Sequence, residues 1–173
     1  LIDSRIKQIA EIFLSTPNDA WTSLNEMNVD YVLIFVSAQK FNNSEMPEPL
    51  YHLSGGGDES KVYWFANIAE QPFEKFLNFD RLSGTSYYWN ETLLGNMIPF
   101  TTVGYYDFQN NQESQNYIYG YSEMSTKNIK YFSDEHPLKL VYSSSSFVDE
   151  QQGLMTGVFV YEINKNYVPS NSD

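Results

Sequence analysis

The sequence predicts an α+β fold, with helices in most of its first half and antiparallel strands in most of its second half. Apolar residues recur at helical spacing near the beginning of the chain, whereas short runs rich in tyrosine and valine, separated by polar turns, fill the end. The chain has 173 residues, of which 42% are apolar, and this suits one folded domain. We expect that domain to span residues 1–167, followed by a polar tail at 168–173.

Two helices are predicted before the first strand. The first should cover residues 4–15, and its apolar side chains are Ile6, Ile9, Ala10, Phe13 and Leu14. Thr16 then has the features of an N-cap residue, with Pro17 at the first helical position and Asp19 in the first turn. The buried face of the second helix should comprise Ala20, Trp21, Leu24 and Met27.

The clearest strand prediction is residues 29–36, a run of β-branched and aromatic side chains. Its nearly continuous apolar character favours a position in the interior of the sheet. We expect a loop over residues 37–57 and then a helix from Asp58 to about Glu70, which Pro72 would end.

The rest of the chain predicts one more helix and the main part of the sheet. The helix should span residues 86–97, with core candidates Tyr87, Leu94 and Met97. The predicted strands, which we expect to form one antiparallel sheet, are residues 105–108, 117–121, 138–142 and 158–163.

Composition excludes several classes of function. A formal net charge of −12 argues against a nucleic-acid partner and against docking on an anionic bilayer. The absence of cysteine removes thiolate chemistry, and two histidines are too few for a histidine-based zinc site. We expect no metal site in this chain and find none of the common hydrolase or phosphate-loop motifs. Because the sequence starts at Leu1 and shows no membrane span, we expect it to be part of a longer protein.

Two acceptor sequons for N-glycosylation occur, beginning at Asn42 and at Asn90. Two such sequons are close to the number that chance gives in a chain rich in asparagine and serine. Asn90 falls inside a predicted helix, which argues against its use.

The segment from Gly55 to Phe65 is the most informative part of the chain, because three glycines precede a predicted helix start. On a helix, Asp58, Lys61 and Phe65 would share one face, which is a plausible recognition edge. The alternative is structural: Asp58 offsets unpaired N–H groups in the first turn, Lys61 is solvated, and Phe65 belongs to the core.

The same segment resembles the DK motif, Asp-x-x-Lys-x-x-x-Met/Ile, of the catalytic subunit of archaeal and eukaryotic oligosaccharyltransferases. Asp58 and Lys61 match the motif, and Trp64 falls where many members carry tryptophan. Upstream, residues 28–34 resemble the family's "DVDYVLV" strand, and the order helix, helix, strand, loop, DK helix is similar from about residue 6 to residue 68.

This resemblance implies a soluble domain on the extracytoplasmic face of a membrane enzyme that transfers a lipid-linked oligosaccharide to Asn of Asn-x-Ser/Thr in an acceptor polypeptide. Asp58, Lys61 and Phe65 would form one wall of the sequon pocket. The family's divalent metal, Mn or Mg, and its lipid-linked oligosaccharide would be bound outside this chain, so the isolated chain should be inactive. The acidic, cysteine-free composition suggests an archaeal type.

The chain departs from the family pattern at two points. The Trp-Trp-Asp-Tyr-Gly motif, which would contribute the other part of the acceptor pocket, is absent, and we expect it upstream of this sequence. Phe65 replaces the expected Met or Ile, and Ile68, one turn further on, is the candidate substitute for its contact with the acceptor threonine methyl group. The rival interpretations are a non-catalytic extracellular module that binds carbohydrate or protein through a tyrosine-rich sheet, and a plain scaffold.

Overall fold

A computed structural model describes residues 2–42, 48–148 and 153–170. It confirms the α+β class: a seven-stranded antiparallel sheet carries helices contributed mainly by the first half of the chain. The α-helices are α1 (Ile2–Leu14), α2 (Pro17–Glu26), α3 (Val62–Ile68), α4 (Ser86–Glu91), α5 (Leu93–Met97) and α6 (Ser145–Val148).

The strands are β1 (Tyr31–Phe41), β2 (Leu50–Leu53), β3 (Phe100–Asp107), β4 (Gln112–Ser114), β5 (Ser122–Lys127), β6 (Leu138–Ser143) and β7 (Leu154–Ile163). Their order across the sheet is β4-β3-β5-β2-β1-β7-β6, and every pairing is antiparallel. Two short 3₁₀ helices, Asp58–Lys61 and Phe73–Lys75, lie on either side of α3. No helix in the described part of the chain is long and apolar enough to cross a bilayer.

The first two helices form as predicted, although their buried faces differ from the prediction. The Thr16 hydroxyl oxygen accepts a hydrogen bond from the Asp19 N–H at 3.3 Å, which confirms the N-cap. Burial in α1 is concentrated in its last turns, at Ala10, Ile12 and Leu14. The prediction was wrong for Ile6, Ile9 and Met27, which are exposed, because periodicity identifies a helix face but not how far neighbouring elements cover it.

Strand β1 is interior, as predicted, and lies between β2 and β7. The predicted loop over 37–57 is wrong at two places: β1 continues to Phe41, and residues 50–53 form β2. Ala38 lies opposite Leu53 and Phe41 lies opposite Leu50, so pairing extends β1 through a segment in which Ser37, Gln39 and Lys40 interrupt the apolar run. Residues 43–47 lie outside the described part of the chain.

The two faces of the sheet around β1 differ. One face, with Val32, Ile34 and Val36, is buried in the core. The other, which we call the outer face, exposes Tyr31, Leu33 and Phe35 of β1 and Tyr142 of β6. Leu33 lies opposite Val160 of β7, which in turn lies opposite Tyr142, so apolar side chains cross three neighbouring strands.

The single helix predicted over 86–97 is wrong, because Thr92 divides it into α4 and α5. Thr92 has an extended backbone, its hydroxyl donates to the Tyr88 carbonyl at 2.6 Å, and it accepts from the Gly95 N–H at 3.0 Å. The strand predicted over 117–121 is a turn, in which Tyr121 N–H bonds the Ile118 carbonyl; β5 begins at the next residue.

Candidate functional site

The segment that resembles the DK motif is a 3₁₀ turn, not the first turn of a long α-helix. Gly57 precedes Asp58–Lys61, and α3 begins only at Val62. A side chain at Gly57 would place its Cβ 2.6 Å from the Phe35 carbonyl oxygen and 2.7 Å from the Val36 Cα. The turn is therefore pressed against β1, and this close approach requires glycine.

Asp58 connects this turn to the sheet. Its Oδ2 accepts a hydrogen bond from the backbone N–H of Phe35 at 2.7 Å, and its Oδ1 accepts one from Lys61 Nζ at 2.6 Å. Strand β2 pairs with β1 only from residue 38 onward, so Asp58 satisfies an N–H group that β2 leaves unpaired. Asp58 therefore fixes the turn to β1 through this hydrogen bond. We call the four residues Asp58–Lys61 the Asp58–Lys61 turn.

The remaining predicted site residues lie on α3 and do not all point the same way. Phe65 is half-buried and stacks on Phe13 of α1, with ring centroids 5.6 Å apart and nearly parallel planes. Trp64 and Ile68 are the exposed apolar side chains, with 64% and 37% of their surface accessible. The helix predicted to reach Glu70 ends at Ile68.

A cavity of about 460 Å³ opens beside the Asp58–Lys61 turn. Its walls come from the end of β2, residue 59 of the turn, the loop over residues 77–84, helix α4 and the turn that leads into β5. Its polar lining includes His52, Glu59, Tyr88, Trp89 and Glu123.

Glu59, next to Asp58 in the sequence, belongs to the cavity and not to the ion pair. Its Oε1 accepts a hydrogen bond from the Gly57 N–H at 3.1 Å, whereas its buried Oε2 has no hydrogen-bond partner among the described residues. Burial raises the pKa of Glu59 to about 7, and the nearby charge of Asp58 contributes in the same direction.

Glu123 and Tyr88 form the opposite wall. Glu123 is only 9% exposed, and its Oε1 accepts a hydrogen bond from the Trp89 indole N–H at 3.2 Å. Burial raises its pKa to about 8. The Tyr88 hydroxyl has no hydrogen-bond partner in the described part of the chain, and burial, reinforced by the charges of Glu59 and Glu123, raises its pKa.

Hydrogen bonds within the loop over residues 77–84 fix its conformation. Asp80 Oδ1 accepts from the N–H groups of Leu82 and Ser83 at 2.9 and 3.0 Å. An added Cβ at Gly84 would lie 2.5 Å from Tyr88 and 2.6 Å from Trp89 Nε1, so this glycine lets the loop pack directly on the two aromatic rings. The cavity wall is thus assembled from fixed elements.

Sequence reasoning missed Glu59, Tyr88 and Glu123 as site residues. They come from three separate segments, and no spacing rule links them. For Glu59, the one feature of the sequence that could have indicated a site residue is its position inside the DK-like segment. The burial that makes Glu123 unusual is a property of the packed fold and not of its neighbours in the sequence.

The two sequons are placed differently. Asn90 lies in helix α4, as predicted, and is exposed, but the hydroxyl of Thr92 in the same sequon is buried and engaged in two hydrogen bonds. In the other sequon, Asn42 is described, whereas Asn43 and Ser44 lie outside the described residues.

The described residues do not offer a donor set for a metal ion, since no group of three or more His, Asp or Glu side chains converges among them. No protein-family model matches the chain, and no curated protein matches it significantly. The resemblance to oligosaccharyltransferases therefore depends on the residues of the DK-like segment and the strand before it.

Proposed function

We propose that this chain is the acceptor-side soluble domain of an archaeal-type oligosaccharyltransferase, which transfers a lipid-linked oligosaccharide to Asn of Asn-x-Ser/Thr sequons. In this proposal the domain lies on the extracytoplasmic face of the membrane. The divalent metal and the lipid-linked oligosaccharide are bound by other parts of the parent enzyme. The isolated chain contributes one wall of the sequon pocket and has no transfer activity of its own.

The observation that supports the proposal most is the ion pair between Asp58 and Lys61, followed on α3 by the exposed apolar side chains of Trp64 and Ile68. The 2.6 Å ion pair and the 2.7 Å bond from Phe35 N–H fix the turn against β1. The α3 helix then displays Trp64 and Ile68 to solvent. A rigid turn followed by accessible apolar groups is suited to holding a short extended peptide, because little of the protein must be ordered on binding.

The geometry also supports a division of roles within the motif. Asp58 has both carboxylate oxygens occupied, so its role is to hold the turn in place. Phe65 stacks on Phe13 and supports α3 from the core side. We therefore propose that Ile68, rather than Phe65, contacts the methyl group of an acceptor threonine, and that Lys61 faces the peptide.

The test is peptide glycosylation by the full-length enzyme carrying Ile68→Ala or Lys61→Ala, with matched Thr and Ser acceptor peptides. Losing one methyl contact is worth about 1 kcal/mol, so Ile68→Ala should reduce the preference for Thr over Ser about fivefold. Lys61→Ala should lower the rate on both peptides.

Lys139→Ala is the matched control, because Lys139 of β6 forms an ion pair with Asp134 at 2.9 Å, outside the proposed site. It should leave both the rate and the preference unchanged. If Ile68→Ala and Lys61→Ala also behave like the wild type, the site assignment fails.

The outer face of the sheet favours a second candidate, a non-catalytic module that binds carbohydrate or protein. Tyr31, Phe35 and Tyr142 expose aromatic rings there, and Leu33 lies among them. Exposed aromatic rings suit stacking against sugars, and an apolar patch suits a protein neighbour. Titration with oligosaccharides, monitored by NMR, tests this candidate. Saturable chemical-shift changes confined to these residues support a carbohydrate-binding module, and their absence excludes carbohydrate as the ligand.

A further inference from the structure

The cavity beside the Asp58–Lys61 turn has features that a structural void would not need. Beside leucine side chains, the lining of this cavity includes three carboxyl groups, three phenols and an indole. Two of its buried polar atoms, Glu59 Oε2 and the Tyr88 hydroxyl oxygen, have no hydrogen-bond partner among the described residues. Unpaired buried polar groups cost free energy, so they indicate a site where a ligand supplies the missing partners.

We propose that this cavity binds an ammonium or guanidinium group carried on an alkyl chain, held by the carboxylates of Glu59 and Glu123 and by the hydroxyl of Tyr88. The site lies outside the residues assigned to the sequon pocket, and the inference does not depend on the proposed function.

The electrostatics of the cavity favour a cation. The titratable and charged groups that face it are, from the elements packed around it, His52 from β2, Glu59 from the turn, Asp80 and Arg81 from the 77–84 loop, Tyr88 from α4, Tyr119 and Tyr121 from the turn before β5, and Glu123 from β5. The Asp80 carboxylate already accepts hydrogen bonds from the backbone N–H groups of Leu82 and Ser83 in its own loop.

The two cationic candidates in that lining are already committed elsewhere. The Arg81 guanidinium stacks over the rings of Tyr63 and Phe73, at 5.0 and 4.7 Å from their centroids, and neither ring lines the cavity. The His52 Nδ1 lies 3.1 Å from the backbone carbonyl of Glu123, which it can only contact as a donor. Glu59 and Glu123 thus lack an ionic partner among the described residues, and burial raises the pKa of both.

A bound alkyl cation would supply what the cavity lacks. An ammonium has three N–H donors and a guanidinium five, enough for one each to the carboxylates of Glu59 and Glu123 and to the Tyr88 hydroxyl oxygen. An anion would meet two carboxylates, and the described lining has no third carboxylate free to complete a metal site. At the mouth, Leu82 and Tyr119 are exposed and can cover an alkyl stem.

The same chemistry is available from a free amine or guanidine and from a lysine or arginine side chain of a polypeptide. The experiment uses n-butylammonium and n-butylguanidinium as free probes and an acetylated, amidated Gly-Lys-Gly peptide as the side-chain probe, with n-butanol as the neutral isostere. Binding to the whole chain is measured by calorimetry and by NMR of the Trp89 indole N–H, which bonds Glu123 directly.

We expect saturable binding of at least one cationic probe below about 10 mM, with n-butanol at least about tenfold weaker. Affinity should increase at least about tenfold between pH 6 and pH 8.5, because the cation displaces protons from the two carboxyl groups. Equal or tighter binding of the lysine peptide points to a polypeptide side chain, and binding of the free probes alone points to a small amine; both support the site.

Three variants separate the site from general destabilisation. Glu59→Gln and Glu123→Gln keep an oxygen acceptor for Gly57 N–H and for the Trp89 indole while removing the charge. Tyr88→Phe removes only the hydroxyl. Each should weaken the cation at least about tenfold, whereas Glu162→Gln, an exposed carboxylate on β7, should not.

The inference is overturned if no cationic probe saturates, or if n-butanol binds as tightly as the cations. It is also overturned if Ca²⁺ binds at these carboxylates and the amines do not. Thermal unfolding of each variant, compared with the wild type, shows whether a loss of binding reflects the lost group or a lost fold.

Discussion

Asp58 should be far more important for stability than Lys61, although the two form one ion pair. Replacing Asp58 by alanine removes the acceptor for Phe35 N–H and the partner of Lys61 together. Replacing Lys61 by alanine removes only the pair, and the Lys61 side chain is 56% exposed. Comparing the two substitutions therefore separates the stability contributed by the hydrogen bond to β1 from that contributed by the exposed ion pair.

The magnitudes follow from the two contacts. A hydrogen bond to an ionised acceptor contributes about 1.5–3 kcal/mol, and a solvent-exposed ion pair about 0.2–1 kcal/mol. Asp58→Ala should therefore reduce the free energy of unfolding by about 2–3 kcal/mol, and Lys61→Ala by less than about 1 kcal/mol. Asp58→Asn keeps a side-chain oxygen for Phe35 N–H, so its loss should fall between these values.

Urea unfolding followed by tryptophan fluorescence measures the three free energies on the isolated chain. For a domain of this size, 1 kcal/mol corresponds to a shift in Tm of about 2–4 °C, so Asp58→Ala should lower Tm by about 4–12 °C. The reasoning is refuted if Lys61→Ala costs as much as Asp58→Ala, or if Asp58→Ala unfolds like the wild type. If Lys61→Ala is nearly neutral here, any loss of peptide glycosylation in the full-length enzyme carrying it reflects function and not folding.

Three further outcomes can be measured in the same unfolding assay. Gly57→Ala should cost about 3 kcal/mol, because its Cβ would lie 2.6 Å from the Phe35 carbonyl oxygen, whereas Gly153→Ala, with its nearest neighbouring atom at 4.0 Å, should be tolerated. Thr92→Ala should cost about 2 kcal/mol, since it removes the N-cap of α5 and a buried hydroxyl; no loss would contradict that role. Stability should fall as pH rises from about 4.5 to about 8, because folded Glu123 keeps a proton that the unfolded chain has released; Glu123→Gln should flatten this slope, and an equal slope in the variant would exclude Glu123 as its source.

The elements that the sequence predicts correctly are those whose signal is local. Thr16, Pro17 and Asp19 form a helix start because a side-chain oxygen, a fixed φ and a first-turn acid act within four residues. The strand over 29–36 was predicted by its β-branched and aromatic residues, and its interior position is confirmed. Such signals do not depend on the rest of the fold.

The errors occur where distant parts of the chain decide the structure. The end of β1 and the whole of β2 form because they pair with each other; residues 37–41 and 50–53 are too short and too mixed in polarity to give a strand pattern of their own. The division of the 86–97 helix follows from Thr92, whose hydroxyl caps α5 while bonding the end of α4. A threonine within a helical pattern does not by itself predict a break, because whether its hydroxyl caps a new helix depends on the local packing.

Asp58 and Lys61 share one face of the turn, as predicted, although the predicted helix type was wrong. An α-helix was predicted, and in an α-helix residues three apart are neighbours on one face. In the observed 3₁₀ turn, residues three apart lie directly above one another, so Asp58 and Lys61 align more closely than predicted. Glu59, about one third of a turn from Asp58, lines the cavity instead, and its Oε1 accepts a hydrogen bond from the Gly57 N–H. One tight turn therefore directs adjacent carboxylates to two separate sites: Asp58 to the peptide wall that we propose, and Glu59 to the cation cavity. Glu59→Gln should therefore weaken the cation while leaving the contacts of Asp58 with Phe35 N–H and Lys61 in place.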